Sequence, residues 1–137
     1  MKTRKNVSLK VALMMFVLLF SFTTSTAQTK KNKMVYDVVE VMPQYPGGQI
    51  AMRKYIMENM KYPEQAMKKG IQGRVAVRFI VEKDGSISNV SPIHPVHPLL
   101  DKEAIRVVKS MPKWSPGKQH GKPVRVQLIV PIMFKLN

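Results

Sequence analysis

The feature that most constrains this chain is its last apolar run, Val124-Arg125-Val126-Gln127-Leu128-Ile129-Val130-Pro131-Ile132-Met133-Phe134. Val124, Val126, Leu128, Val130, Ile132 and Phe134 recur at period two, the pattern of a half-buried strand. Pro131 stands in the opposite phase. Proline cannot donate to a sheet ladder, so this strand is predicted at a sheet edge. An edge strand is where a small domain can accept an extended peptide as an additional strand. A binding module is therefore favoured over an enzyme.

The preceding chain supplies what such a strand needs to pack against. Residues 34–41 read as a short strand or extended arm, and Pro43-Gln44-Tyr45-Pro46-Gly47-Gly48 is turn material. Met52, Ile56 and Met60, with Tyr55 alongside, build one helical face over 49–61. Tyr62-Pro63 stops that helix and Pro63 opens a short one that ends at Gly70. Val75, Val77, Phe79 and Val81 form a second period-two face, followed by the hairpin signal Lys83-Asp84-Gly85 and a weaker returning strand over 86–93. Leu100, Ala104, Val107, Val108 and Met111 form a helix stripe ended by Pro112. The expectation is an α+β domain: a three-stranded antiparallel sheet, two main packing helices and the terminal strand at the sheet edge. Trp114 is expected in the core or at its rim.

The 137 residues allow one domain. Lys2, Arg4, Lys5 and Lys10 precede the apolar stretch 11–22, and Ser25-Thr26-Ala27 offers small residues for a cut before Gln28, as in a secretory signal peptide. The stretch falls short of the ~20 residues of a stable bilayer span, which weighs against an inner-membrane anchor. The expected division is 1–27 signal peptide, 28–48 flexible leader and arm, and 49–137 folded domain, located in the periplasm. The chain has no cysteine, so its core must hold without disulfides. Four of the 23 lysines and arginines precede the cut and all 8 acids follow it, leaving about +11 on the exported chain. Outside the cytoplasm such a charge favours lipid head groups, cell-wall carboxylates and acidic proteins, and nucleic acid drops out as a partner.

The residues of common catalytic and cofactor chemistries are not arranged to work. His94 and His97 are flanked by prolines with no third ligand nearby, so neither a metal nor another cofactor is expected. There is no phosphate-cradling glycine loop and no nucleophile elbow. Asp101 and Glu103, two apart, do not share a helix face.

Three collinear segments resemble one family. The first is Tyr62-Pro63-x-x-Ala66 leading into Gly70-Ile71-Gln72-Gly73-Arg74-Val75-x-Val77-x-Phe79-x-Val81. The second is Asp84-Gly85-Ser86-Ile87 followed by Leu100-Asp101-x-Glu103-Ala104. The third is Met111-Pro112-x-Trp114-x-Pro116-Gly117, then Gly121-x-Pro123-Val124 and the terminal strand. Over about 61–137 the chain is similar to the C-terminal domain of TonB-type energy transducers, and residues 39–48 look like the leader of a Bacteroidota-type branch.

The resemblance implies a periplasmic domain that grips the TonB box, a short segment of outer-membrane transporters, by adding it as a strand. Carried over residue by residue, the edge is Val124, Arg125, Val126, Gln127, Leu128, Ile129, Val130 and Met133, with a second contact near Tyr62 and Pro63. Asn59 stands where the family's prototype carries a glutamine. Full transducers also have a membrane helix with polar residues and a long Pro-rich spacer, whereas 11–22 contains no His or acid and 28–33 is short. An accessory or competing binder is therefore expected rather than a complete transducer. The alternatives are an envelope-anchoring protein that uses its charge, and a detached sensor domain. The same edge would also serve a homodimer.

Overall fold

The computed structural model describes residues 33–137, so the expected signal peptide and the leader up to residue 32 lie outside the described residues. In chain order the elements are β1 (Val35–Tyr36), α1 (Gly48–Asn59), α2 (Glu64–Lys68), β2 (Gly73–Val81), β3 (Ile87–Pro92), α3 (Pro98–Lys109), β4 (Gly117–Gln119) and β5 (Lys122–Phe134). The α+β class holds, and the differences lie in the sheet.

The two period-two runs pair with each other. β2 runs antiparallel to β5 from Gly73 opposite Phe134 to Val81 opposite Val126. This register puts Val75, Val77, Phe79 and Val81 on the same face as Val126, Val130, Ile132 and Phe134, all buried. Helix α3 covers that face with Leu100, Ala104, Val107 and Val108. It starts where it does because His97 is extended and its Nδ1 accepts from the Leu99 N–H, with Pro98 in the first position. Asp101 in the first turn accepts from Val96 N–H at 3.1 Å. Helix α1 lies more loosely, its Met52, Tyr55, Ile56 and Met60 only partly buried against the core.

The sheet has five strands, not three, in the order β1-β5-β2-β3, with β4 paired to the start of β5. Two short additions account for the difference. β1 pairs in parallel with β5, Val35 opposite Arg125 and Tyr36 opposite Val126. β4 folds back on β5 through His120 and Gly121, whose φ values of 52° and 74° are those of a tight two-residue hairpin. The sequence does not announce that turn, because histidine stands where asparagine or aspartate is usual. The terminal strand is consequently flanked on both sides at Val126, and its outer side opens only past the Gln127 N–H, which β1 takes.

Candidate functional site

The direction of each backbone group on β5 follows from its neighbours. The Ile93 N–H donates to the Ala76 carbonyl at 2.9 Å, so Ala76 turns its backbone groups toward β3. Ala76 stands opposite Pro131, which makes that a non-hydrogen-bonded pair. Pro131 therefore faces away from β2, where its missing N–H leaves no ladder bond unmade. By alternation Gln127, Ile129 and Met133 also point their N–H and C=O groups outward. The parallel pairing of Tyr36 with Val126 takes the Gln127 N–H for the Tyr36 carbonyl, and past it no strand among the described residues pairs with the Gln127 carbonyl, Ile129 or Met133 on that side.

The other expected edge residues are engaged within the sheet. Val126, Leu128 and Val130 alternate toward β2, opposite Val81, Phe79 and Val77. Val124 lies opposite Gly117 of β4. Lys118 exchanges both backbone hydrogen bonds with Val41, at 2.8 and 3.1 Å, so its neighbours Gly117 and Gln119 are the β4 residues that face β5. β4 thus continues along the side of β5 that β2 leaves. Arg125 faces β1. The expected edge over 124–134 narrows to Gln127–Met133. The period-two reading identified the strand but could not tell which phase of its backbone was already paired.

The Arg125 side chain is also engaged. Its Nε lies 2.7 Å from Glu82 Oε2 and its Nη2 lies 3.0 Å from Oε1. The Ser88 hydroxyl donates to the same carboxylate at 2.5 Å. The hydrogen bond from Arg125 holds the Glu82 carboxyl below its ordinary range; burial opposes this and Ser88 assists it. The same pairing pushes the Arg125 guanidinium up.

Asn59, Tyr62 and Pro63 form a separate corner beneath the C-terminal end of β5. The Tyr62 ring stands edge-on to Phe134, with centroids 5.7 Å apart, and its hydroxyl donates to the Ile71 carbonyl. Asn59 Nδ2 donates to the Tyr55 carbonyl at 2.8 Å, and its own carbonyl accepts from Arg106. Pro63 stands just before α2 and is half-buried. Nearby, Glu103 accepts from the Lys61 N–H and pairs with Arg106. Burial raises the Glu103 carboxyl, but Arg106 and the Lys61 N–H outweigh it and hold it below its usual value. The corner touches β5 through Phe134, the residue after Met133.

Beside the middle of the open edge lies a groove of about 430 Å³. Leu128, Ile129 and Val130 form one wall; Met42, Pro43 and Tyr45 and the start of α1, with Gln49 and Met52, form the other. Trp114 also lines it, packed edge-on against Tyr45 (5.6 Å between centroids) and Phe79 (5.5 Å). Trp114 is 7 % exposed, and its indole N–H has no acceptor among the described residues. Its place is set by Gly85. The Trp114 N–H donates to the Gly85 carbonyl at 2.9 Å, and a Cβ on Gly85 would meet the Trp114 carbonyl oxygen at 2.0 Å. Sequence reasoning missed this groove. Its only trace was the Pro- and Gly-rich stretch 43–48, which reads as a turn rather than as a wall.

Of the two histidines in the loop before α3, His97 caps the helix through Nδ1. Among the described residues, no group of three or more His, Cys, Asp or Glu could hold a metal ion. Among the same residues, no helix is long and apolar enough to cross a membrane.

The arrangement is an open run of strand backbone beside a side-chain groove. Residues 58–136, more than half of the chain, match the family model described as the Gram-negative bacterial TonB protein C-terminal. The solution structure of a Helicobacter pylori TonB C-terminal domain (its residues 179–285) is 26 % identical. That match covers 64 % of this chain and 79 % of that one, with a TM-score of 0.51. A shorter form of the same domain (its residues 194–285) is 25 % identical over 63 % of this chain and 90 % of that one, with a TM-score of 0.49. Among curated proteins, none matches the chain. With its Tyr-Pro corner, central hairpin and long terminal strand all inside the matched residues, this chain belongs to the TonB C-terminal domain family.

Proposed function

We propose that this chain is an exported, periplasmic, non-enzymatic binding domain, cut after Ala27, that grips the TonB-box segment of an outer-membrane transporter as an added strand. The observation that carries this reading is the outward row of the Gln127 carbonyl, Ile129 and Met133 beside Pro131, unpaired among the described residues. Strand addition draws its affinity from main-chain hydrogen bonds and its selectivity from alternate side chains. Tyr62 and Pro63, with Asn59, support the end of the edge through Phe134 rather than through a free phenol.

An Ile129→Pro variant tests the site. Its N–H points outward beyond β1, so the substitution removes a donor for the ligand and no bond of the native sheet. Full-length protein titrated with N-terminal peptides of the transporters should show backbone shifts over 127–133, and the variant should lose binding while staying folded. Unchanged affinity in a folded variant sinks the proposal.

One observation favours a second reading, attachment to anionic envelope surfaces: the formal charge of +15. Salt separates the two. Charge-driven attachment weakens steeply as ionic strength rises, and strand addition weakens little.

A further inference from the structure

We propose that the groove beside β5 is a side-chain subsite that selects an extended, acidic-flanked segment carrying apolar residues two apart; this rests on strand addition at Gln127–Met133. A strand laid along that edge alternates its side chains between the two faces of the sheet. Residues standing opposite Leu128 and Val130 share their face, and that face opens into the groove. Residues between them fall beside Ile129 on the outer face, where Ile129 is 54 % exposed. At about 430 Å³ the groove has the size of a ligand pocket, about 300–1,000 Å³. Met42, Tyr45 and Met52 make its lining apolar, so the guests are apolar.

The far wall is built from residues 42–52, which precede the stretch 58–136 shared with the family. The subsite is thus a feature that this chain's own leader adds to the common edge. Charge sets the rest of the guest's chemistry. The exported chain is at about +11, and Glu58, Glu64, Glu82 and Glu103 each already face a cation of their own. An incoming acidic segment is attracted, and a second copy of the chain at the same charge is repelled.

Fluorescence anisotropy on the full chain in mild detergent tests this with labelled peptides of the form Asp-Ser-Xaa-Val-Xaa-Ser-Asp. The guest with both Xaa as Leu should bind at least tenfold more tightly than the Ser guest, about 1.4 kcal/mol. Replacing the flanking Asp residues by Lys should weaken the Leu guest. Gln49→Trp, at an exposed position on the far wall, should fill the groove and erase the Leu preference while leaving the weaker common binding. Ile129→Pro should abolish binding of every peptide. Equal binding of the Leu and Ser guests, abolished by Ile129→Pro, overturns the subsite and leaves strand addition standing. Binding that survives Ile129→Pro, or no binding of any peptide, overturns strand addition and the subsite with it. A dimer that the Leu guest does not dissociate and Ile129→Pro does would give the edge to a second copy and overturn the proposal.

Discussion

On one side the sheet ends in β3, on the other in the outer edge of β5, and the two are built to opposite purposes. β3 is six residues long and irregular. Between Arg78–Ser91 and Ile80–Ser88 it carries one residue more than β2 does, a bulge in which Asn89 takes a left-handed φ of 49°. It then ends in Pro92. Short length, a bulge and proline are the usual means of keeping an edge from pairing with other chains. β5 is 13 residues long, and along its register with β2 no shift occurs from Gly73–Phe134 to Val81–Val126. Among the described residues its outer phase is interrupted by β1 up to the Gln127 N–H and by the missing donor of Pro131. One edge is closed to partners by its own geometry, and the other keeps a straight row of backbone groups.

The largest effect should separate the two phases of β5. Val130→Pro removes an N–H that faces β2 and should cost about 3 kcal/mol, losing a ladder bond and forcing the ring into a packed strand. Ile129→Pro, whose N–H faces outward beyond β1, should leave thermal stability nearly unchanged. Chemical denaturation of both variants checks this, and similar losses in the two would mean that the assigned phase is wrong.

The second effect lies on the closed edge. Asn89→Val puts a β-branched residue at φ 49° and should cost about 2 kcal/mol by the same assay. Peptide binding should be unaffected, because β2 stands between β3 and β5. A variant that folds normally and pairs through β3 would show that the bulge is not what closes this edge.

These differences were unequally legible in the sequence. Burial periodicity gave β2, β5 and the α3 stripe, because period two and period 3.6 are written directly in apolar residues such as Val75, Phe79, Leu100 and Val107. Pro131 marked one phase of β5 as unpaired, and Trp114 fell into the core as expected. What stayed hidden depends on pairing rather than pattern. β1 is two residues long, too short for any periodicity. β4 has no apolar alternation, only Gly117, Lys118 and Gln119, and Gly117 fits because a Cβ there would meet Val126 Cγ2 at 2.5 Å. The motif that singles out Tyr62 does not show that its hydroxyl donates to the Ile71 carbonyl within the fold. Nor does the strand pattern show that Arg125 is tied to Glu82.

Glu82 joins the two edges, accepting from Ser88 of β3 and from Arg125 of β5. Its folded carboxyl titrates below its unfolded value, so its contribution is present above the unfolded range and is lost as pH falls through the folded one. Glu82→Gln should cost about 1.5 kcal/mol near neutral pH. The gap in melting temperature between variant and parent should close on acidification through the carboxylate range. A gap that stays constant with pH would mean that packing, not charge, is what Glu82 contributes.

The smallest effect concerns the hairpin that closes the inner side of β5. His120 occupies the first left-handed position of that turn, where asparagine is favoured over most residues. Its imidazole faces Glu40 at 3.5 Å with both side chains largely exposed, a pairing that adds little. His120→Asn should therefore stabilise the protein by about 0.5 kcal/mol. Because β4 continues the β2 side of the strand, a firmer hairpin should leave peptide affinity unchanged. If the same substitution altered binding, the hairpin and the open edge would be coupled, and the division of β5 into a paired phase and a free phase would have to include the turn that starts it.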